Sequence, residues 1–227
     1  MITIEAVRQY FRYQLENENF TIDKTGAKTI EMIGASFIAD DEAIFGTPNQ
    51  EYIAKEIEWY NSMSTNINDI NKEGEPPAAW KYAANEHGEI NSNYGLLTMS
   101  EQYHDQLGHV ADELVINPDS RRACMIYNRP SIWLEYDKGG MSDFICTNAV
   151  SYMIRDEKLI SVVQMRSNDV VYGYKNDYAW QLWMQREVCD LINIDKHENY
   201  KTLVKPGDIH WQVQNLHVYE KHFNLVK

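Results

Sequence analysis

Glu56 is the first residue of the 227-residue chain whose position asks for a chemical reason. Ile53, Glu56, Ile57 and Tyr60 fall on one helical face by i, i+3, i+4 and i+7 spacing. A carboxylate on an apolar stripe is costly unless it is paired or protonated. Glu56 therefore either reaches water at the edge of the stripe or works inside a site. Cys146 lies in a stretch, 144–154, that reads as a strand, where it shares a face with Asn148. A buried free cysteine is ordinarily an inert small hydrophobe, a reading that suits Cys124 and Cys189 better still. Arg121-Arg122 follows Asn117-Pro-Asp-Ser and reads, taken alone, as a solvated edge. Arg166-Ser167-Asn168-Asp169 leaves a strand at Met165, where a guanidinium, a hydroxyl and turn amides suit a phosphate. His217 and Tyr219, spaced i, i+2, suit a ligand hydroxyl or an ordinary strand edge. Asp177 immediately precedes a helical run, where the ordinary role of an aspartate is to cap it.

These residues need elements to hold them. Val7, Phe11 and Leu15 mark a helix over 2–16. Asp23-Lys-Thr-Gly26 reads as a turn, and 29–39 as a strand bent at Gly34. A helix over 50–61 carries Glu56. The polar stretch 66–89, with Gly74, Pro76 and Pro77, reads as a long excursion or lid. Tyr103, Leu107, Val110 and Leu114 mark a helix that stops at Asn117-Pro118. Strands over 123–127, 144–154 and 159–165 follow, the last two joined by a turn at Asp156-Glu157-Lys158. A helix runs from Asp177 to about Ile192, and Ile209, Trp211 and Val213 alternate as a final strand. Interspersed helices and hairpins predict an α+β mixed sheet with helices packed on it.

Composition narrows the function classes. At about 150 residues per domain, and with no low-complexity linker, 1–227 reads as one domain. Apolar residues form 44% of the chain and charged residues 24%, which excludes a disordered chain. No apolar run approaches the ~20 residues of a membrane span, and the first ten residues lack the apolar segment of a signal peptide. Three cysteines without metal spacing argue against disulfides or a zinc site and predict a reducing, cytoplasmic setting. A net charge of −13 argues against duplex nucleic acid as a partner. A small phosphorylated ligand requires a local basic cluster, for which Arg121, Arg122, Arg129 and Arg166 are the candidates.

In combination the motifs are far more specific. Glu56-x-x-Trp59, Asn93-Tyr94-Gly95, Asp119-Ser-Arg-Arg122, Cys146-x-Asn148, Arg166-Ser-Asn-Asp169, Gly173 and His217-Val-Tyr219, in this order and separation, resemble the thymidylate synthase family. The resemblance spans about 23–223. Gly34-Ala-Ser-Phe37, Glu89-Ile-Asn-Ser-Asn-Tyr94 and Asn176-Asp-Tyr-Ala-Trp180 are similar to its phage branch, which hydroxymethylates deoxycytidylate (dCMP). The resemblance implies a dimer formed through the sheet face, and Cys146 as a nucleophile adding to C6 of the pyrimidine. It implies Arg166 beside that sulfur and the phosphate, where a guanidinium favours the thiolate. Ser167 and Asn168 belong to the same substrate-binding run. Arg121 and Arg122 would reach across the dimer to the partner's phosphate. Lys24 stands where synthases carry a phosphate-binding arginine, keeping the charge without the bidentate fork. Glu56 would organise proton transfer and water, His217 and Tyr219 bind the sugar hydroxyl, and Tyr94 bring a hydroxyl near the nucleophile. Asp169 and Trp80 would line the folate, 5,10-methylenetetrahydrofolate, with no metal.

The same resemblance marks departures. Synthases usually carry Pro before the nucleophile and His after it; here Ile145 and Thr147 stand there. The folate-covering tail of the synthases has no counterpart after Tyr219 in this sequence. Synthases carry Asn where this chain has Asp177. An Asn amide matches uracil, whereas a protonated carboxyl matches cytosine, giving its O–H to N3 and accepting from the 4-amino group. A carboxylate paired with N3-protonated cytosine matches as well. The expected reaction is hydroxymethylation of dCMP in a host cell's cytoplasm. A dCMP C5-methylase, or a dUMP-directed thymidylate synthase or hydroxymethylase, is the alternative.

Overall fold

The computed structural model describes residues 2–22, 26–71, 73–194 and 202–227. Lys24 and most of the turn expected at Asp23-Lys-Thr-Gly26 lie outside the described residues. The first helix, α1 (Ile4–Glu16), buries Ile4, Val7 and Phe11. Leu15 is only half-buried. Arg8 ties α1 to the following loop, donating from Nε to the Ile44 carbonyl at 2.7 Å and from Nη2 to Asp41 at 2.6 Å.

Strands β1 (Thr21–Ile22) and β2 (Lys28–Ile38) follow. Helix α2 (Gln50–Ser62) is capped by Asn49, whose side chain accepts from the Tyr52 amide. The excursion over 66–89 is tied at its base by Ile67 N to Gly88 O at 2.8 Å and Ile90 N to Thr65 O at 3.0 Å. It carries the short α3 (Ala78–Ala83), and α4 (Tyr94–Met99) and α5 (Gln106–Ile116) follow it. Next come β3 (Cys124–Ile126), α6 (Ile132–Glu135), β4 (Thr147–Arg155) and β5 (Lys158–Asp169). The long α7 (Gly173–Ile194) and β6 (Lys205–Tyr219) complete the set.

The six strands form one mixed sheet in the order β1-β2-β6-β5-β4-β3. Every neighbouring pair is antiparallel except β5 and β6, which α7 connects as a crossover. The fold is thus α+β, as the alternation of patterns predicts. The β4–β5 hairpin turns through Asp156 and Glu157 at φ 50° and 62°, the conformation that matches strand twist in a two-residue turn. Gly34 takes φ 68° within β2, where pairing lapses without a change of register. One face of the sheet packs against the helices through Phe37, Val150, Val163, Trp211 and Val213, meeting Tyr174, Trp180, Met184 and Val188 of α7. The opposite face leaves Ile33 at 72% exposure and Ile126 at 59%.

Several expected boundaries move. The strand expected to end at Met165 runs on to Asp169, paired with β6, so Arg166-Ser167-Asn168-Asp169 is the end of β5 and not a turn. The helix expected to include Tyr103 starts at Gln106, after His104 takes φ 67°. The strand predicted from residue 144 starts at Thr147, because the Phe144 and Ile145 carbonyls are taken by the Arg166 guanidinium instead of a neighbouring strand. Register between β4 and β5 shifts between Thr147 and Ala149, so Asn148 is a bulge residue. Cys146 therefore lies ahead of the strand and does not share a period-2 face with Asn148. The helix expected to begin at Asp177 begins at Gly173. Asp169 Oδ1 accepts from the Val171 and Tyr172 amides at 2.8 and 2.6 Å ahead of that helix. Asp177 sits a full turn inside α7 and is not its cap.

Candidate active site

The chemistry-bearing residues gather where β5 and β6 end and α7 begins. Parallel register pairs Ser167 with Asn215, Asn168 with Leu216 and Asp169 with His217. The bend at Cys146 meets this edge through the Arg166 amide, which donates to the Cys146 carbonyl at 2.9 Å. Arg166 Nε donates to the Ile145 carbonyl at 3.0 Å, Nη2 donates to the Phe144 carbonyl, and Nη2 lies 3.5 Å from the Cys146 sulfur. The guanidinium also sits over the Phe144 ring, 5.0 Å from its centroid. Burial pushes the Cys146 thiol up to about 11; the nearby Arg166 charge lowers it but is outweighed. The thiolate-favouring effect expected of Arg166 is present in sign and smaller than desolvation.

Glu56 is buried at 5% exposure, on the same face of α2 as Ile53 and Tyr60. Its Oε1 accepts from the Tyr52 hydroxyl at 2.5 Å and from the Trp80 indole at 3.0 Å. Burial raises its carboxyl, and those two donors only partly offset the effect. Trp80 arrives from the excursion, so the expected lid does reach the Glu56 carboxylate. The edge-of-stripe reading, in which Glu56 reaches water, is not what the fold adopts.

Asp177 of α7 lies within electrostatic reach of both Glu56 and Cys146. Its Oδ2 accepts from Asn168 Nδ2 at 2.7 Å, while Asn168 Oδ1 accepts from the Trp211 indole at 3.3 Å. Those two bonds fix which way the Asn168 amide points. Burial, reinforced by the charge of Glu56, raises the Asp177 carboxyl from 3.8 to about 8. Gly173 leaves room beside this pair: a Cβ there would lie 3.0 Å from Asn168 Nδ2 and 3.8 Å from Asp177 Oδ2. Tyr94, capped into α4 by the Asn93 side chain, receives the Thr147 hydroxyl at 3.0 Å. Gly95 is required at the α2–α4 crossing, where a Cβ would meet the Tyr60 carbonyl at 1.9 Å.

The remaining predicted residues divide. His217 is nearly buried and its ring meets Tyr219 edge-on at 4.8 Å. Asp169 Oδ2 is buried without a hydrogen-bond partner and faces His222 Nδ1 at 4.0 Å. Ser167 is half-buried at the end of β5. Arg121 and Arg122 are exposed. Arg122 pairs with Glu113 at 2.9 Å instead of contacting Cys146, Glu56 or Asp177 of its own chain. Arg129 is paired with Glu135 and stacked over Tyr103.

Tyr52, Tyr60 and Asp143 join the site without having been anticipated as members. Tyr52 precedes Glu56 by four residues, a helical spacing that a wider search of the same face finds. Asp143 has no local signature, because its partners Asn91 and Ser92 come from another segment. A 540 Å³ recess on the other side of α2, lined by Lys55, Glu58, Ser62 and Asp69, contains none of the predicted site residues. Among the described residues, no three His, Cys, Asp or Glu side chains cluster as a metal site, and no helix is long and apolar enough to cross a membrane.

The family profile described as thymidylate synthase matches residues 7–227. The chain belongs to the thymidylate synthase family. Within it, the chain is 51% identical over 226 residues to the deoxycytidylate 5-hydroxymethyltransferases of Enterobacteria phages T4 and T2, an alignment covering 99% of this chain and 89% of each relative. It is 26% identical to the thymidylate synthase of Fusobacterium nucleatum, over 89% of this chain and 70% of that enzyme.

Proposed function

We infer that the protein is a deoxycytidylate 5-hydroxymethyltransferase. It joins the one-carbon unit of 5,10-methylenetetrahydrofolate to C5 of dCMP, adds water, and yields 5-hydroxymethyl-dCMP and tetrahydrofolate. The observation that carries this reading is the Asp177–Asn168 pair: a carboxyl that holds its proton to about pH 8, anchored at Oδ2 by an oriented amide. The end of the carboxyl turned away from Asn168 is then able to donate to cytosine N3. Uracil presents N3–H at that point and meets a donor. A mismatch of that kind is worth roughly 10⁴–10⁵ in discrimination.

The Cys146 sulfur adds to C6 of the pyrimidine and loses its proton as it does so, since the free thiol stays protonated near neutral pH. Addition turns C5 into an enamine-like nucleophile, and the covalent intermediate divides one difficult substitution into easier steps. The folate, when bound, supplies carbon at the oxidation level of formaldehyde. Its site fits: Asp169 Oδ2 is a buried oxygen lacking a donor, and Trp80 offers an aromatic face. Once C5 has taken up the carbon and lost its proton, and the carbon–nitrogen bond to tetrahydrofolate has broken with tetrahydrofolate leaving, the nucleotide bears an exocyclic methylene. Glu56 holds the water that adds to that carbon, and departure of the sulfur restores the pyrimidine. Arg166 and Ser167 bind the phosphate with Lys24, and His217 and Tyr219 bind the sugar hydroxyl, with Tyr94 beside the nucleophile.

The single domain over 1–227 works as a homodimer in this reading. The uncovered sheet face with Ile33 and Ile126 supports pairing through that face, and the exposure of Arg121 and Arg122 supports their donation to a partner's phosphate. The setting is the cytoplasm of an infected host cell. The test is incubation of purified protein with dCMP and methylenetetrahydrofolate, with the nucleotide product identified by mass. 5-Hydroxymethyl-dCMP without dihydrofolate is expected. Dihydrofolate formed one-for-one with a methylated product identifies a methylase and overturns the assignment.

A further inference from the structure

Asp143 is buried at 7% exposure, three residues before the nucleophile, and its carboxylate is fully engaged. Oδ2 accepts from the Asn91 amide at 2.6 Å and the Ser92 amide at 2.8 Å, and Oδ1 accepts from the Ser92 hydroxyl at 2.7 Å. The Asn91 side chain returns the contact, donating to the Asp143 carbonyl at 3.1 Å and to the Glu135 carbonyl at 3.2 Å. The Asp143 amide in turn donates to the Tyr136 carbonyl at 2.9 Å. Two segments are thereby joined. One runs into Cys146 and the other runs into Asn93 and Tyr94. They meet again at the Thr147–Tyr94 hydrogen bond.

We propose that Asp143 is the positioning residue of the nucleophile. Its carboxylate fastens the segment 143–146 to the Asn91-Ser92 turn, so that the Phe144 and Ile145 carbonyls stand where the Arg166 guanidinium grips them beside the Cys146 sulfur. The chain ahead of Cys146 has no strand ladder and no proline; Ile145 is buried in the core but does not fix φ as a proline would. Its conformation is held from outside, by Asp143 on one side and Arg166 on the other. The negative charge of Asp143 works against the sulfur, since it raises the thiol. The role assigned is therefore geometric, and charge and geometry make opposite predictions.

The inference rests on the reading of Cys146 as the nucleophile, and two substitutions separate its parts. Asp143→Ala removes every side-chain contact. Asp143→Asn removes the charge but keeps the contacts, because the amide oxygen accepts from both backbone amides while its NH₂ donates to the Ser92 hydroxyl. Kinetics with dCMP and methylenetetrahydrofolate are to be measured beside the pH dependence of Cys146 alkylation by iodoacetamide, followed by peptide mass. The Ala variant should lose roughly 10- to 100-fold in kcat with KM for dCMP within about threefold, the signature of misplaced reacting groups. The Asn variant should recover most of that loss, and its alkylation midpoint should fall below wild type. Equal losses in the two variants, or an Ala variant with lowered Tm but wild-type kcat, would overturn the proposal. If Asp143→Ala does not fold, Ser92→Ala decides: a lower kcat at unchanged KM supports the proposal, and an unchanged kcat rejects it. Alkylation needs neither nucleotide nor folate, so it reads the cysteine even if the substrate assignment is wrong.

Discussion

Replacing Asp177 by Asn tests base selection and electrostatics together. In the unfolded chain this carboxyl ionises near its ordinary value of 3.8; in the fold it keeps its proton to about 8. Between those values the folded state binds more protons than the unfolded state, so the contribution of Asp177 to stability falls as pH rises through the window. The slope is ~1.4 kcal/mol per pH unit, giving a ceiling of ~4 kcal/mol between pH 5 and pH 8. Relaxation and water entry reduce the figure, and ~2 kcal/mol is the expected minimum. Asn is neutral throughout and pays no such penalty. To match uracil its oxygen must face N3–H and its NH₂ must face O4, which requires the Asn168 amide to turn over, since Asn168 Nδ2 now donates to Asp177. Urea unfolding at pH 5, 6, 7 and 8 should show the variant gaining on wild type as pH rises. In the same preparations, the ratio of kcat/KM for dCMP over dUMP should drop by at least 10²-fold. Parallel stability curves would mean that Asp177 is not desolvated in the apo fold. An unchanged ratio would mean that it does not read the base.

Three further outcomes are expected. Cys146→Ser should abolish turnover while leaving dCMP affinity within about threefold by calorimetry, because an alcohol is a much poorer nucleophile; substantial residual turnover would defeat the covalent step. Glu56→Gln should slow turnover by roughly 10²–10⁴, the range for a lost acid–base group, with the dihydrofolate absorbance signal absent in both enzymes. Gly95→Ala should lower stability by ~3 kcal/mol or more in thermal or urea unfolding, since its Cβ would meet the Tyr60 carbonyl at 1.9 Å; a neutral effect would show that α2 and α4 separate without cost.

The residues legible in the sequence are those whose reason is local. Glu56 stands out because helical period alone puts a carboxylate on an apolar face, and the face is buried as that period requires. The β4–β5 hairpin is readable from its turn residues. Asp177 is only half readable. Its chemistry follows from comparing Asp with Asn at one position, but it resembles a cap, since the true start of α7 lies behind Val170-Val171, where Asp169 receives two amides. The strand boundary at Cys146 is not readable, because the run Phe-Ile-Cys has strand character and only a distant arginine takes its carbonyls. Asp143 is invisible for the same reason: the Ser92 hydroxyl it holds is 51 residues away in sequence.

The central position of β6 has a consequence for how the protein is made. Its partner β2 comes from the start of the chain, and the Asn215–Glu31 contact across that seam closes a separation of 184 residues. Such distant pairing slows folding, because loop entropy is lost before the contacts that offset it form. During synthesis the edge of β2 that β6 covers stays unpaired until β6 has been made. A ribosome-bound chain lacking β6 has no His217, no Tyr219 and no closed sheet. Activity should appear only once β6 has joined the sheet, and the waiting edge of β2 is the segment most exposed to mispairing with another nascent copy.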